Sequence, residues 1–432
     1  MTVAILFGSL LFCLTLRAPI AIALGMASLA AIHYSGAVSL RYIATSMTTA
    51  LDNFPLMGVP FFVLAGELMS TGGISKRLLD VANAFVGKVT GGTAIVTVVA
   101  CMFFAAISGS GPATVAAVGC MMVPEMMRQG YDKRFACGLI ASAGTIGVII
   151  PPSVPMIIYA VSTSGVSISD MFLAGVFPGL LVGAVLITWA YVYSRRQGYK
   201  GDVTACDMPL GEKFRMVWEA KWALMVPVVI LGGIYGGIFT PTEAAAVAVG
   251  YGFVVGKFVY HDLSWDDILP TICRSALTGA TIMIIIGCAT GFGRILAIHR
   301  VPETLAHTIG MFSHSTFLVM GLTMLLLLVV GCFMEALAAI IILAPILLPV
   351  ATMVGVDPVH FGIAMVVNLS IGYITPPLGV NLFVTCGIAN ISLDELAKSI
   401  LPWLGVLLAA LALIVVFPQI SMFLPNLVNS MR

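Results

Sequence analysis

The feature that most constrains this chain is the length of its apolar stretches. A helix that crosses a bilayer takes about 20 mainly apolar residues. Candidate stretches lie at 2–16, 18–35, 53–71, 92–127, 135–164, 172–194, 222–239, 242–260, 274–292, 315–353, 360–390 and 400–424. Charged residues make up 9% of the chain, against about 25% in soluble domains, and the net charge is +1. The sequence therefore predicts an all-α polytopic membrane protein, and it excludes a nucleic-acid binder and an ordinary soluble enzyme.

Two of these stretches are long enough for two passes, yet each is interrupted in the middle. The stretch 92–127 contains SGSGP, and the stretch 315–353 contains GCFME. A break at mid-depth between apolar flanks favours a re-entrant helical hairpin, which enters and leaves the membrane on the same side. The alternative is a pair of ordinary spans joined by a short exposed loop.

Two further stretches carry double prolines. Pro151-Pro152 interrupts 135–164, and Pro376-Pro377 interrupts 360–390. Proline removes a backbone donor and clashes with the preceding helical turn, and the residue before it avoids the helical region. Each stretch is therefore predicted to be a discontinuous helix with an unwound centre.

The two double prolines lie 225 positions apart, and the same offset relates many other residues. The matching pairs include Pro124 and Pro349, Gly130 and Gly355, Asp132 and Asp357, Gly147 and Gly372, and Ser167 and Ser392. This series predicts a tandem duplication, with a first repeat at 1–225 and a second at 226–432. If hairpins do not change sides, each half crosses five times, and an odd number of crossings inverts the second copy.

The distribution of Lys and Arg supports the inversion. When the loops are assigned by this count, 16 of the 20 basic residues lie opposite the N-terminal side and 4 lie on it. Loops rich in Lys and Arg stay in the cytoplasm. Both termini are therefore expected outside, and the polar loop 195–221 inside.

Four segments resemble the large membrane subunit of tripartite ATP-independent periplasmic (TRAP) transporters. They are GSGPATVAAVG at Gly109–Gly119, SAGTIGVIIPPSVPMIIYA at Ser142–Ala160, GCFMEALAAIIILAPILLPV at Gly331–Val350 and NLSIGYITPPLGVNLF at Asn368–Phe383. The resemblance extends along essentially the whole chain.

The resemblance implies a fold of two inverted repeats and an elevator-type transporter in the bacterial inner membrane. The hairpins and discontinuous helices would form a transport domain, and the remaining helices a scaffold. Family members import organic acids with Na⁺, together with a small four-helix membrane subunit and a soluble periplasmic substrate-binding protein. The resemblance points first to the sialic-acid branch, with C4-dicarboxylates as the next candidate. No cofactor is expected beyond Na⁺ as the coupling ion.

Sodium ligands are expected at the hairpin tips and helix breaks, where hydroxyls and freed carbonyls supply oxygen. The candidates in the first half are Ser108, Ser110, Thr114, Ser142, Thr145 and Gly147. Those in the second half are Gly331, Met334, Glu335, Asn368, Ser370, Gly372 and Thr375. The alternative is that these hydroxyls only satisfy freed backbone groups or let helices pack closely.

An anionic substrate requires positive potential, and no basic residue falls at mid-depth in either half. The positive ends of half-helices are expected to supply that potential. The candidate substrate-binding residues are Pro112, Ala113, Pro152, Ser153, Pro377, Gly379 and Asn381.

Other polar residues in apolar surroundings are expected to have structural roles. Glu67 lies near a helix end, where snorkelling or capping is favoured, and Glu243 follows Thr240 as a helix-start carboxylate. The six His residues are expected at the surface near span ends, and the nine Cys as small core residues. Two amphipathic segments, about 74–88 and 294–312, are expected to lie along the membrane surface.

Three rival classes remain open on the sequence. A passive organic-anion channel, a lipid-handling membrane enzyme and a non-transport membrane scaffold are all compatible with the composition. No nucleotide-binding, serine-hydrolase or metalloprotease motif is present, and the longest polar segment is too short for an ATPase domain. A secondary transporter explains the paired breaks best.

Overall fold

The computed structural model describes most of the chain, and what it describes is helical. The described residues are 1–16, 18–36, 39–86, 89–163, 165–199, 209–301, 304, 315–332, 334–376 and 379–431. Within these ranges there is no β-strand.

The helices of the first half are named here in chain order. They are α1 (Thr2–Thr15), α2 (Ile20–Ser35), α3 (Leu40–Leu51), α4 (Gly58–Thr71), α5 (Ile74–Val86), α6 (Gly92–Ser108), α7 (Gly111–Arg128), α8 (Lys133–Ala143), α9 (Val154–Ser162), α10 (Ile168–Gln197) and α11 (Leu210–Glu219). Two 3₁₀ turns adjoin them, Phe54–Met57 before α4 and Gly144–Val148 after α8.

The second half follows the same naming. Its helices are α12 (Lys221–Tyr235), α13 (Pro241–Val254), α14 (Trp265–Ile298), α15 (Thr316–Gly331), α16 (Ala336–Met353), α17 (Pro358–Gly372), α18 (Val380–Ala389), α19 (Leu393–Val416) and α20 (Gln419–Met431). A π turn, Val255–Val259, extends α13.

Six helical segments of the described chain are each long and apolar enough to cross a bilayer. They are Phe54–Thr71, Ile168–Gln197, Pro241–Val259, Trp265–Ile298, Ala336–Met353 and Leu393–Val416. A seventh would arise if the bent pair Gly211–Glu219 and Lys221–Tyr235 formed one span. Many of the other apolar helices are shorter because they end at the breaks, so the count of ten crossings stays a prediction.

The interruptions fall where the sequence places them. Helix α6 ends at Ser108 and α7 begins at Gly111, while α15 ends at Gly331 and α16 begins at Ala336. The double-proline regions separate α8 from α9 and α17 from α18. The hairpin breaks and the discontinuous helices are therefore present, whereas the side from which each hairpin enters stays a prediction.

The helix starts recur at the offset of 225 residues, and so does the chemistry that caps them. The Asp132 carboxylate accepts from the Arg134 N–H, and the Asp357 carboxylate accepts from the Val359 and His360 N–H groups. The hydroxyls of Ser167 and Ser392 cap α10 and α19 in the same way. A side-chain acceptor satisfies a donor that the first helical turn leaves unpaired.

Several predicted boundaries are wrong for identifiable reasons. The stretch 400–424 is two helices, because Pro418 prevents the preceding residue from continuing α19. The stretch 274–292 belongs to a much longer helix, α14, which starts at a capping box made by Ser264 and Asp267. Helix α3 was not predicted, because its Ser and Thr residues keep it out of every long apolar stretch.

The two amphipathic segments have different outcomes. The first forms α5, where the Arg77 guanidinium donates to the Asp262 carboxylate and lies 3.7 Å from the Tyr260 ring centre. Burial raises the pKa of the Asp80 carboxyl on the same helix, and Lys76 and Arg77 partly oppose this rise. The second segment is not a separate helix at its start, because Arg294–Ile298 completes α14. Its residues 302–303 and 305–312 lie outside the described residues.

The helices pack in two sets that meet along the hairpins. One set contains α1–α4 together with α13 and α14, with α4 against α13 and α14 against α2, α3 and α4. The other contains both hairpins, both discontinuous helices, α10, α19 and α20. Contacts of α4 with α6 and of α14 with α16 join the two sets.

Candidate functional site

A cavity of about 740 Å³ lies where these two sets of helices meet. Its wall combines the first hairpin tip, the start of α9, the second tip at Glu335, and side chains of α4 and α14. The tip end of the wall is buried at Ser108 and Val148, and the other end is exposed at Cys120 and Thr278. The cavity therefore extends along α7 from the tip toward the surface.

The first hairpin tip is a compact set of hydroxyl and carbonyl groups. The Ser108 and Thr114 hydroxyl oxygens are 3.2 Å apart, and both hydroxyls donate to the Ser110 carbonyl oxygen, at 3.3 Å and 2.7 Å. The Ser110 N–H donates in turn to the Ser108 hydroxyl. The tip thus gathers three oxygen atoms of the kind that Na⁺ binds.

Glycine brings the first break against this tip. A Cβ atom added to Gly147 would lie 2.5 Å from both the Ser110 carbonyl oxygen and the Thr114 hydroxyl. A Cβ atom added to Gly109 would lie 2.8 Å from the Pro152 carbonyl oxygen. Any side chain at either position would force the two segments apart, so the close approach depends on glycine.

The second tip and break also meet through glycine, but they meet backbone to backbone. A Cβ atom added to Gly372 would lie 2.6 Å from the Gly331 carbonyl carbon and oxygen. The hydroxyls nearby are turned to their own helices, since Ser370 donates to the Val367 carbonyl and Thr375 to the Ile371 carbonyl. This pair of segments offers carbonyl oxygens and the Glu335 carboxylate.

The breaks of the two halves touch each other near the middle of the molecule. A Cβ atom added to Gly111, at the first tip, would lie 3.0 Å from the ring of Tyr373 in the second break. The Asn381 side-chain amide donates to the Ala141 carbonyl oxygen at 3.0 Å. The buried Oδ1 atom of Asn381 has no hydrogen-bond partner among the described residues.

Three helices begin at the cavity wall without a side-chain cap. Ser110, Ser153 and Glu335 precede α7, α9 and α16, and none of their side chains accepts from the helix start in the described structure. The first N–H groups of a helix lack partners inside it and carry partial positive charge. These starts therefore direct positive potential toward the cavity, in contrast to the capped starts at Asp132 and Asp357.

Charged side chains in the wall are acidic. Glu67 and Glu335 line the cavity, and no Lys, Arg or His does so among the described residues. Glu67 has a basic partner in Arg274, whose Nε atom is 3.7 Å from the Glu67 carboxylate.

The predicted site residues separate into three groups. Those that line the cavity are Ser108, Ser110, Pro112, Ala113 and Glu335. Those within the protein behind the wall are Thr114, Ser142, Thr145, Gly147, Pro152, Ser153, Gly331, Asn368, Ser370, Gly372, Gly379 and Asn381. Met334 and Thr375 are half-buried beside the second break, and Pro377 lies outside the described residues.

Several residues behind the wall already have partners that hold the breaks together. Ser142 donates to the Gly138 carbonyl, Thr145 to the Ser142 carbonyl, and Ser153 to the Val148 carbonyl. Asn368 donates to the Met324 carbonyl of α15. These hydrogen bonds fit the alternative that some polar groups stabilise freed backbone.

Sequence reasoning missed the part of the wall that the first set of helices contributes. Glu67 lines the cavity instead of only capping a helix, and Thr278 and Thr281 of α14 face it. The two threonines lie three positions apart in an otherwise apolar part of the helix, and this spacing could have indicated a face that lines a polar cavity. The expectation of surface histidines is wrong for His360, which is 2% exposed and lies 2.7 Å from the Ser421 hydroxyl.

Comparison with known families gives a match along nearly the whole chain. The model described as "Tripartite ATP-independent periplasmic transporter, DctM component" matches residues 7–420. An isethionate TRAP transporter permease of Oleidesulfovibrio alaskensis is 49% identical over 97% of this chain, which covers 66% of that relative's own length.

Two further relatives match over nearly their full length. A C4-dicarboxylate TRAP transporter large permease of Rhodobacter capsulatus is 39% identical over 99% of this chain and 100% of the relative. A sialic acid TRAP transporter large permease of Vibrio cholerae is 38% identical over 95% of both chains. Among solved structures, the Alcanivorax borkumensis YdaH transporter has a TM-score of 0.61, 16% identity, and coverage of 87% of this chain and 88% of that one. This last likeness concerns the fold alone.

Proposed function

This chain belongs to the DctM component family of tripartite ATP-independent periplasmic transporters, and we propose that it couples the import of a small organic acid to Na⁺. The family consists of transporter permeases rather than enzymes, and its large permeases serve organic acids. The coupling ion, the particular acid and the mechanism are the parts that we propose.

The observation that carries the proposal is the charge of the cavity. An organic anion in this cavity would face the Glu335 carboxylate and the Glu67 carboxylate, which is paired with Arg274 beyond the wall, and among the described residues it would meet no basic side chain in the wall itself. Two like charges 6 Å apart repel by about 3 kcal/mol at an effective dielectric constant of 20. Three uncapped helix starts offset part of this repulsion, and bound cations would offset the rest. Bound sodium would thus favour anion binding as well as supply the driving force.

We place one Na⁺ at each tip and break. The first site uses the oxygens of Ser108, Ser110 and Thr114 beside Gly147. The second uses the Gly331 carbonyl at Gly372, with Glu335 close by in the chain. Because each set supplies few strong ligands, Na⁺ should bind weakly and bind better when substrate is present.

The acid is proposed to bind at the uncapped helix starts. Pro112 and Ala113 follow the first tip, and Val154 and Pro155 begin α9. The prolines have no N–H, so the donors offered to a carboxylate or sulfonate are the N–H groups of Ala113 and Val154. The relatives named above are permeases for isethionate, a C4-dicarboxylate and sialic acid. Isethionate is the first candidate because of the 49% identity, followed by C4-dicarboxylates, and the sialic-acid prediction stays open.

Transport is proposed to occur by movement of one set of helices against the other. The set that holds both hairpins would carry the substrate, and α1–α4, α13 and α14 would form the fixed wall. Large permeases of this family work with a small membrane subunit and a periplasmic binding protein. We expect this chain to need both in the bacterial inner membrane.

The test is uptake by proteoliposomes that contain this chain with the small subunit and candidate binding proteins. Isethionate, succinate and N-acetylneuraminate are supplied in turn, with an inward Na⁺ gradient or with choline in its place. The proposal expects uptake of one acid that needs both Na⁺ and a binding protein. Uptake that continues without a Na⁺ gradient and stops at equilibrium would instead indicate a passive channel, and full uptake by the isolated chain would refute the need for partners.

A further inference from the structure

The exposed end of the cavity carries an ion pair that the proposed ion and substrate sites do not use. The pair joins Glu67 of α4 to Arg274 of α14, with 3.7 Å between Arg274 Nε and Glu67 Oε2. This distance exceeds that of a hydrogen bond. Neither side chain is enclosed by the protein, with 59% exposure for Arg274 and 38% for Glu67. The pair is therefore loose and could exchange partners.

The position of Arg274 follows from the helix that carries it. Thr278, Thr281 and Ile285 of α14 line the cavity, and their spacing of three and four residues defines one face of that helix. Arg274 comes one turn before Thr278 on this face, so it lies just beyond the open end. Its terminal nitrogen is held by the Thr271 hydroxyl at 3.3 Å, which leaves the other guanidinium donors free to change partner.

An anion that enters or leaves the cavity at this end would meet the Arg274 guanidinium. Among the described residues the cavity wall itself holds no basic side chain, and its carboxylates repel anions. Arg274 offers a planar set of donors that suits a carboxylate or a sulfonate. Glu67 occupies that position when no anion is present.

We propose that Glu67 and Arg274 form a charge gate that selects anions at the open end of the cavity. Arg274 attracts the anionic head group, and Glu67 keeps Arg274 oriented and displaces the anion so that it is released. The role of the charge gate in transport rests on the proposed import of organic acids. Its effect on the electrostatic potential of the cavity can be measured without any transport.

The test uses Cys120, which is exposed and lines the same cavity. The experiment uses the full chain with its other cysteines replaced. Its Cys120 is treated in turn with an anionic reagent, sulfonatoethyl methanethiosulfonate, and with a cationic reagent, the trimethylammonium methanethiosulfonate, and the rate of each reaction is measured. The ratio of the two rates reports the electrostatic potential of the cavity. This assay needs neither a substrate nor partners, so it can fail or succeed independently of the transport proposal.

Removal of Arg274 should make the cavity less favourable to anions. We expect Arg274→Gln to lower the anionic-to-cationic rate ratio at least about threefold, and Glu67→Gln to raise it by a similar factor. Arg274→Lys should retain most of the ratio. Arg294→Gln is the matched control, because Arg294 is an exposed arginine on the same helix about 30 Å away along the axis.

Three results would overturn the charge gate. An unchanged ratio in Arg274→Gln would show that this side chain does not set the potential of the cavity. Equal slowing of both reagents would show a change of shape instead of charge. An equal change in Arg294→Gln would show a general effect of net charge. If Arg274→Gln does not purify as a monodisperse protein, Glu67→Gln and Arg274→Lys still decide the matter, because the first must raise the ratio and the second must preserve it.

Discussion

The two tip-and-break regions have the same arrangement of helices and different chemistry. At the first, side-chain hydroxyls of Ser108 and Thr114 gather around the Ser110 carbonyl. At the second, Gly331 and Gly372 meet backbone to backbone, and a carboxylate stands at the position that corresponds to Ser110. The second region thus offers backbone carbonyls and one carboxyl group, whereas the first offers two hydroxyls and a carbonyl.

If the two regions arose by the predicted duplication, the difference indicates which features such a fold keeps and which it allows to vary. Glycine is retained at Gly147 and Gly372 because a close approach between backbone segments cannot accept a side chain. The ligands vary, because an oxygen from a hydroxyl, a carbonyl or a carboxylate can each bind a hard cation. The two regions should therefore have the same geometric requirement and different affinities for Na⁺.

The largest expected difference between the two regions is the face of the membrane on which each hairpin opens. If the second half is inverted, the open ends of the two hairpins lie on opposite faces of the membrane. Met127 and Thr352 are exposed residues at matching positions near these ends. In a background without other cysteines, Met127→Cys should label with an impermeant thiol reagent only from the cytoplasmic side, and Thr352→Cys only from outside. Labelling of both from the same side would exclude the inversion.

A Cβ atom at the backbone contact should nearly abolish uptake. In Gly372→Ala the added carbon would lie 2.6 Å from the Gly331 backbone, which cannot move aside as a side chain can. We expect uptake to fall at least about tenfold and stability to fall by about 1–3 kcal/mol, the usual cost of overpacking. Gly147→Ala should act similarly. Gly321→Ala on α15 is the control, because nothing lies within 4 Å of its added Cβ. Normal uptake by Gly372→Ala would contradict the close-approach account.

Loss of the carboxylate should weaken Na⁺ activation more than loss of a hydroxyl. We expect Glu335→Gln to raise the Na⁺ concentration for half-maximal uptake about tenfold, equivalent to about 1.4 kcal/mol. Glu219→Gln is the control, because Glu219 pairs with Arg215 away from the cavity. An unchanged Na⁺ dependence in Glu335→Gln would remove this residue from the second site.

The smallest effects concern single hydroxyls. Ser110→Ala should raise the half-maximal Na⁺ concentration only about threefold, or about 0.6 kcal/mol. Ser110 borders the cavity, and the substitution removes its hydroxyl while leaving in place the carbonyl oxygen to which Ser108 and Thr114 donate. Ser370→Ala should raise the half-maximal Na⁺ concentration less, because the Ser370 hydroxyl already donates to the Val367 carbonyl. A larger effect at Ser370 than at Ser110 would mean that the roles of the two regions are reversed.

The breaks were predictable from sequence, and the wall opposite them was not. Glycine and proline at 108–112 and 151–152 interrupt helices by local sterics, so their effect can be read without the fold. Thr278 and Glu67 reach the cavity because α14 and α4 pack against the hairpins, which is a tertiary fact. The long helix α14 was also underestimated, because its polar first turns lie outside any apolar window.

The most direct test of the central claim is the number of Na⁺ ions carried with each substrate molecule. Radioactive Na⁺ and substrate are measured together in proteoliposomes that contain the complete transporter, under an imposed Na⁺ gradient. Two tip-and-break sites predict at least two Na⁺ per substrate and a sigmoidal dependence on Na⁺. A ratio of one would contradict the assignment of an ion to each region, and substrate uptake without Na⁺ flux would contradict the coupling itself.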